Sequence, residues 1–262
     1  MISELYTYVT TPCPQYVRHM DYLSEAIDMR KRYRRNRTAW QPHLEQTRRF
    51  VLSAADRCTS RNRAVILGAG LMLDVPLEEL ASIFREVVLV DIVFLPEVRR
   101  DVKRYCNTTL VRHDVTNMAQ KLHKNLLHGV RELPEAMPGI PIDGDTGLVV
   151  SLNILSQLWV VPRAYVLRKL PNIDEEQLDG WSRQIVGSHH DFLLSLPCSV
   201  CLVADHEFVK RDREGTIVGR ASTVCGLTLP KPHASWAWNI APMGEDRPYL
   251  SKELNVGAWH VR

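Results

Sequence analysis

From Ala64 onward the chain repeats one unit: a short unbroken apolar run, a turn, and then a stretch with helical spacing. Ala64–Leu67, Val87–Val90, Thr109–Arg112, Leu148–Leu152 and Ser199–Ala204 are the successive runs. Continuous rather than alternating apolarity marks strands buried on both faces. Strands separated by helices run parallel, because the crossover helix returns the chain to the same edge. The pattern therefore predicts an α/β, doubly wound, mostly parallel sheet. The end of the chain differs. Ala234–Ala241 and Asn255–Val261 read as strands with no room for a helix between them, which predicts a C-terminal antiparallel hairpin.

Ahead of this unit, Tyr16, Met20, Leu23 and Ile27 fall on one helical face. A basic run follows, Arg30, Lys31, Arg32, Arg34, Arg35 and Arg37, with no acid among them. Pro42 suits the first turn of a further helix, with Leu44, Val51 and Ala55 as its stripe. Within the repeating unit, Asp74 reads as the N-cap of the Leu77–Phe84 helix, and Tyr165 to Leu196 as one long helical stretch. No linker divides the chain, so the expected organisation is an N-terminal helical extension or lid (1–60) and one Rossmann-like domain (61–262).

Composition narrows the function class. With 262 residues, 45% of them hydrophobic, there is material for one sizeable core. The net charge of +3 is small, and no long basic stripe interleaves with aromatics, so nucleic acid is not indicated. No apolar stretch reaches a membrane span, Met1 to Tyr8 carries no apolar leader core, and the six cysteines are scattered. These features lead us to expect a cytoplasmic protein with reduced thiols. Nothing encodes an oligomeric state.

Open parallel sheets bind ligands beyond the carboxyl ends of their strands. Here the first strand ends in Gly68-Ala69-Gly70, where backbone can approach a ligand that a Cβ would block. Asp91 ends the second strand, 21 residues after Gly70, where a carboxylate can accept from both hydroxyls of a ribose. Asp114 lies 23 residues further on, at the third, and Ser151-Leu152-Asn153 closes the fourth. Each signal has a bland counterpart: a tight turn, or a helix cap. Their order and spacing together are more specific.

On Val65–Gly70, Val88–Asp91, His113-Asp114-Val115 and the closing hairpin, the chain resembles the class I S-adenosylmethionine-dependent methyltransferases from about Arg63 to the C-terminus. The resemblance implies a seven-stranded sheet and S-adenosylmethionine as cofactor. Gly68, Ala69 and Gly70 would underlie the methionine and ribose, Asp91 with Ile92 would hold the ribose, and Asp114 with Val115 the adenine. Asn153 would lie by the methionine end or the acceptor. The chain departs from the family at Ile66, where many members carry an acid, and at Leu71-Met72-Leu73, which replaces a third glycine.

Positioning does much of the work in methyl transfer, so the acceptor is poorly encoded. His206, in Asp205-His206-Glu207 at the end of the fifth strand, is a candidate proton acceptor, with Asn153 as a second catalytic candidate. Tyr33, Arg37, Trp40 and His43 would face a small-molecule acceptor from the extension, and the basic run would select an anionic one. A solvated helix end accounts for the same run. His189-His190-Asp191 reads as a helix segment rather than a metal site, since adjacent histidines diverge, and Trp236 and Trp238 share a strand face and read as core. Two other functions remain to be weighed: a transfer-inactive binding or scaffolding subunit of the same fold, and a nicotinamide-dependent oxidoreductase, against which the hairpin argues.

Overall fold

The computed structural model describes residues 2–140, Ile142 and 144–261. In chain order the elements are α1 (Ile2–Thr10), α2 (Gln15–His19), α3 (Tyr22–Arg57), β1 (Arg63–Leu67), α4 (Leu77–Ile83), β2 (Glu86–Asp91), α5 (Pro96–Val102) and β3 (Thr108–Arg112). There follow α6 (Ala119–Leu127), β4 (Thr146–Leu152), α7 (Val160–Lys169), α8 (Glu175–Ser195), β5 (Ser199–Arg211), β6 (Ile217–Ser222), β7 (Ala234–Ala241) and β8 (Ser251–His260). The strands form one sheet in the order β3-β2-β1-β4-β5-β8-β7, with β6 paired to the far half of β5. β1 to β5 run parallel, and β8 is antiparallel to both β5 and β7.

The apolar runs are strands because both faces are covered. Ala64 and Ile66 of β1 join the cluster that contains α3 and α4, whereas Val65 and Leu67 join the one that contains α8. Such alternation along a wholly apolar segment is what a doubly wound sheet demands, and each buried Val, Leu or Ile contributes about 1.5–3 kcal/mol. The antiparallel closing hairpin is present as expected. The sheet has eight strands rather than seven, because β5 runs on past Ala204 and its extension recruits β6.

Three local expectations change. Pro42 does not start a helix: α3 spans 36 residues as two helical halves that meet at a kink at Asn36 (φ −111°, ψ 20°), six residues before the proline. A proline ring crowds the carbonyl four residues back and bends the helix without ending it when packing holds both halves. Here the inward stripe Asn36, Trp40, His43, Leu44 and Thr47 is buried across the bend. The stretch from Tyr165 to Leu196 is two helices, split before Asp174, whose carboxylate accepts from Gln177 N–H at 2.8 Å as the N-cap of α8. Asp74 caps nothing; Pro76 occupies the N-cap of α4, and the Asp74 carboxylate turns into the site described below.

The extension is packed onto the sheet's carboxyl edge. Val17, Leu23 and Ile27 form one cluster with Val93 and Leu95 from the loop after β2. The basic run is largely paired with acids: Arg30 with Glu97 (2.9 Å), Lys31 with Asp28 (2.9 Å), Arg32 with Asp246 (3.4 Å) and Arg35 with Glu245. Among the described residues, no helix is long and apolar enough to cross a membrane.

Candidate ligand-binding site

Strand order reverses between β1 and β4, and two adjoining cavities open there, at the carboxyl ends of the strands. The smaller, of about 270 Å³, is lined by Gly68, Gly70, Asp91, Ile92, Asp114 and Val115, with Tyr22 from α3. The larger, of about 550 Å³, shares Gly68, Gly70 and Asp91 with it and adds Ala69, Asn153, Trp40 and His43. The structure thus brings together every residue assigned to a nucleoside ligand, on the two sides of one turn.

The glycines have separate reasons. A Cβ on Gly68 would stand 2.0 Å from Ile154 Cγ2 and 2.9 Å from the Leu152 carbonyl oxygen, so the residue is small because β4 presses on it. At Gly70 a Cβ would meet Asp91 Oδ2 and the Gly68 carbonyl oxygen only at 3.8 Å, but the residue adopts φ +46°, which other residues resist. Its N–H donates to Asp91 Oδ2 at 2.8 Å, and a weaker contact at 3.3 Å joins Val93 N–H to Oδ1. Burial nevertheless dominates and pushes the Asp91 carboxyl up to about 6. Each oxygen keeps lone-pair capacity for a hydroxyl donor.

Asp114 is more committed. Its Oδ1 accepts from Thr116 N–H (2.9 Å) and the Thr116 hydroxyl (2.6 Å), and its Oδ2 from Ala119 N–H (2.8 Å). The carboxylate thereby ties down the turn that starts α6. It lines the cavity and at the same time holds the first N–H of α6, whose N-cap is Met118.

On the larger cavity, Asn153 has φ 51° and donates from Nδ2 to Asp74 Oδ2 at 2.6 Å. His43 is buried, accepts from Trp236 Nε1 at 2.9 Å, and stacks on Trp238 at 4.0 Å between centroids. An indole only donates, so His43 Nδ1 is the acceptor and the neutral ring carries its proton on Nε2. Burial lowers its pKa to about 3 and keeps it neutral. Trp238 meets Trp40 edge-on at 5.1 Å. Trp236 and Trp238, read as core from the sequence, are the wall on which His43 is mounted.

Other candidates lie elsewhere. Tyr33 packs on the core with its ring 6.0 Å from Trp40, outside either lining, and Arg37 is exposed one helical step from the buried stripe. His206 sits at a β-bulge, where Asp205 opposes Val256 and Glu207 opposes Asn255, and its side chain lines neither cavity. The bulge shifts the alternation by one residue, so Asp205 and Phe208, an odd number apart, both line the larger cavity. His189 is buried, with Nε2 at 3.0 Å from Ser151 Oγ, and among the described residues no group of three metal-ligating side chains forms. Sequence reasoning passed over Asp74 and Asp205. For Asp205 a signal existed, a carboxylate set directly in line with an apolar strand.

No protein-family model and no curated protein matches the chain. Among solved structures it is similar to a 1,6-didemethyltoxoflavin-N1-methyltransferase from Burkholderia thailandensis with 1,6-didemethyltoxoflavin and S-adenosylhomocysteine bound (12% identity, 93% of this chain and 88% of the other, TM-score 0.41). It is also similar to the 23S rRNA methyltransferase ErmE (12% identity, 80% and 67% covered, TM-score 0.30). A third likeness is to precorrin 8w decarboxylase from Methanobacterium thermoautotrophicum (14% identity, 81% and 89% covered, TM-score 0.28). Similarities this distant carry no argument about ligand or reaction. The strand order itself, a parallel β3-β2-β1-β4-β5 sheet closed by an antiparallel C-terminal hairpin, is a doubly wound, Rossmann-like arrangement.

Proposed function

We propose that the protein is an S-adenosylmethionine-dependent methyltransferase whose acceptor is a small molecule. One observation carries this reading: two adjoining cavities meet over the Gly68–Gly70 turn and the Asp91 carboxylate. The smaller suits the nucleoside. It is mainly apolar, with Asp91 for ribose hydroxyls and Asp114 and Val115 at the far wall for the base. The larger would hold the acceptor beside Asn153, beneath Trp40 and His43 of α3. In this reading α3 acts as the lid, and S-adenosylmethionine supplies an electrophilic methyl group. The chain's residues orient the two partners and exclude water.

The volume of the larger cavity, about 550 Å³, fits a small molecule. The basic run is largely neutralised by acids: Arg32, which lines the larger cavity, faces Asp246, and Arg37 lies outside the lining. A transfer-inactive protein of the same fold is favoured by one observation, that Asp114 and Gly68 each have a structural reason to be present.

Calorimetric titration with S-adenosylmethionine, S-adenosylhomocysteine and NADH separates the readings. We expect the first two to bind and NADH not to, with Asp91→Ala abolishing both signals. Binding of none would favour the inactive protein, and binding of NADH alone would sink the proposal.

A further inference from the structure

We propose that Asp205 is the general base of the larger cavity, and that the acceptor is therefore a molecule with an ionisable N–H or O–H group. This rests on the methyltransferase reading above and extends it to the acceptor. Asp205 is 1% exposed and lines the cavity at the end of the parallel part of β5. Its Oδ1 accepts from the buried Ser156 hydroxyl at 2.6 Å, and Gln157 Nε2 donates to that same hydroxyl oxygen at 2.9 Å, so the serine proton is directed at the carboxylate. The Thr223 hydroxyl donates to the Asp205 backbone carbonyl at 2.9 Å, and after Ser156 it is the next side chain that lowers the carboxyl. Oδ2 is buried with no hydrogen-bond partner. An orphaned carboxylate oxygen is costly to bury, and the natural complement is a donor carried by the ligand.

The surroundings suit a base. Burial raises the Asp205 carboxyl above its ordinary range, against the lowering effect of its donors and of Lys252 on β8. Arg32 and Glu25 of α3, together with Asp74 and the neutral His43, complete the titratable and charged lining around it, apart from Asp91 at the end of β2. A carboxylate raised toward working pH accepts a proton more readily than an ordinary one. In the step, the acceptor N–H or O–H bond breaks and its proton passes to Asp205 Oδ2. The freed lone pair on nitrogen or oxygen forms the new bond to the methyl carbon. The carbon–sulfur bond breaks, and its electron pair stays on sulfur as a neutral thioether.

The test uses the full chain with S-adenosylmethionine and three probes: 4-nitrophenol (O–H), theophylline (N–H) and dimethyl sulfide, which has no proton to lose. Release of S-adenosylhomocysteine is followed against pH. We expect transfer to at least one proton-bearing probe and a loss of kcat of about 100-fold in Asp205→Asn, with S-adenosylhomocysteine affinity changed by less than about twofold. We further expect the loss to shrink when 4-nitrophenol is supplied as its anion at high pH, since no proton then needs removing. Ser156→Ala, which removes a donor from the carboxylate, should move the acid limb of the profile to higher pH. Should Asp205→Asn not fold, that shift is the deciding measurement, and an unmoved limb overturns the proposal. It is equally overturned if Asp205→Asn keeps activity within about threefold, if only dimethyl sulfide is methylated, or if neither proton-bearing probe reacts while S-adenosylhomocysteine binds. Failure of S-adenosylhomocysteine to bind the wild-type protein would instead remove the cofactor reading, and this inference with it.

Discussion

Around the smaller cavity Asp91 and Asp114 have their carboxylates bonded to backbone N–H groups of the turns they close. Around the larger one Asp205 Oδ2, Asn153 Oδ1 and Trp238 Nε1 are buried without a partner. The first region is organised by its own backbone and holds its shape before any ligand arrives. The second is assembled from α3, β4, β5 and β7, far apart in sequence, and keeps hydrogen-bonding capacity in reserve. Preorganisation at a shared part of the ligand and unmet valence at a variable part is the division expected of a site that takes one constant and one particular partner.

The contrast can be broken first at the turn the two regions share. Gly68→Ala places a Cβ into Ile154 and the Leu152 carbonyl at φ +81°. Overpacking and a forbidden backbone conformation together should destabilise the fold by about 4 kcal/mol, read by urea unfolding. A change below about 1 kcal/mol would show that β4 gives way and that the turn is not rigid.

The next test is titration, because His43 of the larger cavity and Asp91 on the boundary between the two oppose one another in pH. His43 is held neutral down to about 3. The unfolded chain takes up that proton near 6.5 and the folded one does not, so the stability is fully present above 6.5 and falls as pH drops toward 3. Between pH ~6.5 and ~4.5 the advantage of wild type over His43→Gln should shrink by about 2 kcal/mol in urea unfolding. His189, lowered by burial to about 4, acts in the same sense and is common to both proteins. Asp91, raised to about 6, has the opposite sign: its folded form holds the extra proton between the ordinary 3.8 and 6. The advantage of Asp91→Asn over wild type should therefore grow as pH rises through that window. Parallel rather than opposed slopes would refute the contrast.

A smaller effect concerns affinity. Below about pH 6 a protonated Asp91 loses acceptor capacity, so calorimetric affinity for S-adenosylhomocysteine should fall by up to about tenfold per pH unit, and Asp91→Asn should bind weakly at every pH. Smallest of all is Arg35→Ala, where the exposed guanidinium pairs with the largely covered Glu245 at the surface and we expect about 1 kcal/mol or less.

The parts of the fold set by local pattern were legible in the sequence. Buried strands are uninterrupted apolar runs, and the ends of β1, β2 and β3 carry Gly68, Asp91 and Asp114 at spacings fixed by the helices between them. What escaped depends on contacts across the chain. Pro42 reads as a start, but the buried stripe of Trp40, His43 and Leu44 holds the helix together through it. Asp74 reads as a cap until Asn153 offers a better partner. His206 attracts attention for its chemistry, yet a one-residue bulge turns the cavity wall over to its neighbour. Tyr33 and Arg37 lose their place to helical phase, which a kink makes hard to count.

Glu25 and Met29 of α3 border both cavities, while the far half of the same helix is fastened to the sheet through Trp40, which donates from Nε1 to the Ile240 carbonyl at 3.1 Å. In the language of linked equilibria, two ligands that share a wall cannot bind independently. Whatever the first does to the position or freedom of that stretch changes the affinity of the second by the same factor in either order of addition. Glu25 and Met29 both lie before the bend at Asn36, so the coupling belongs to the first half of one helix.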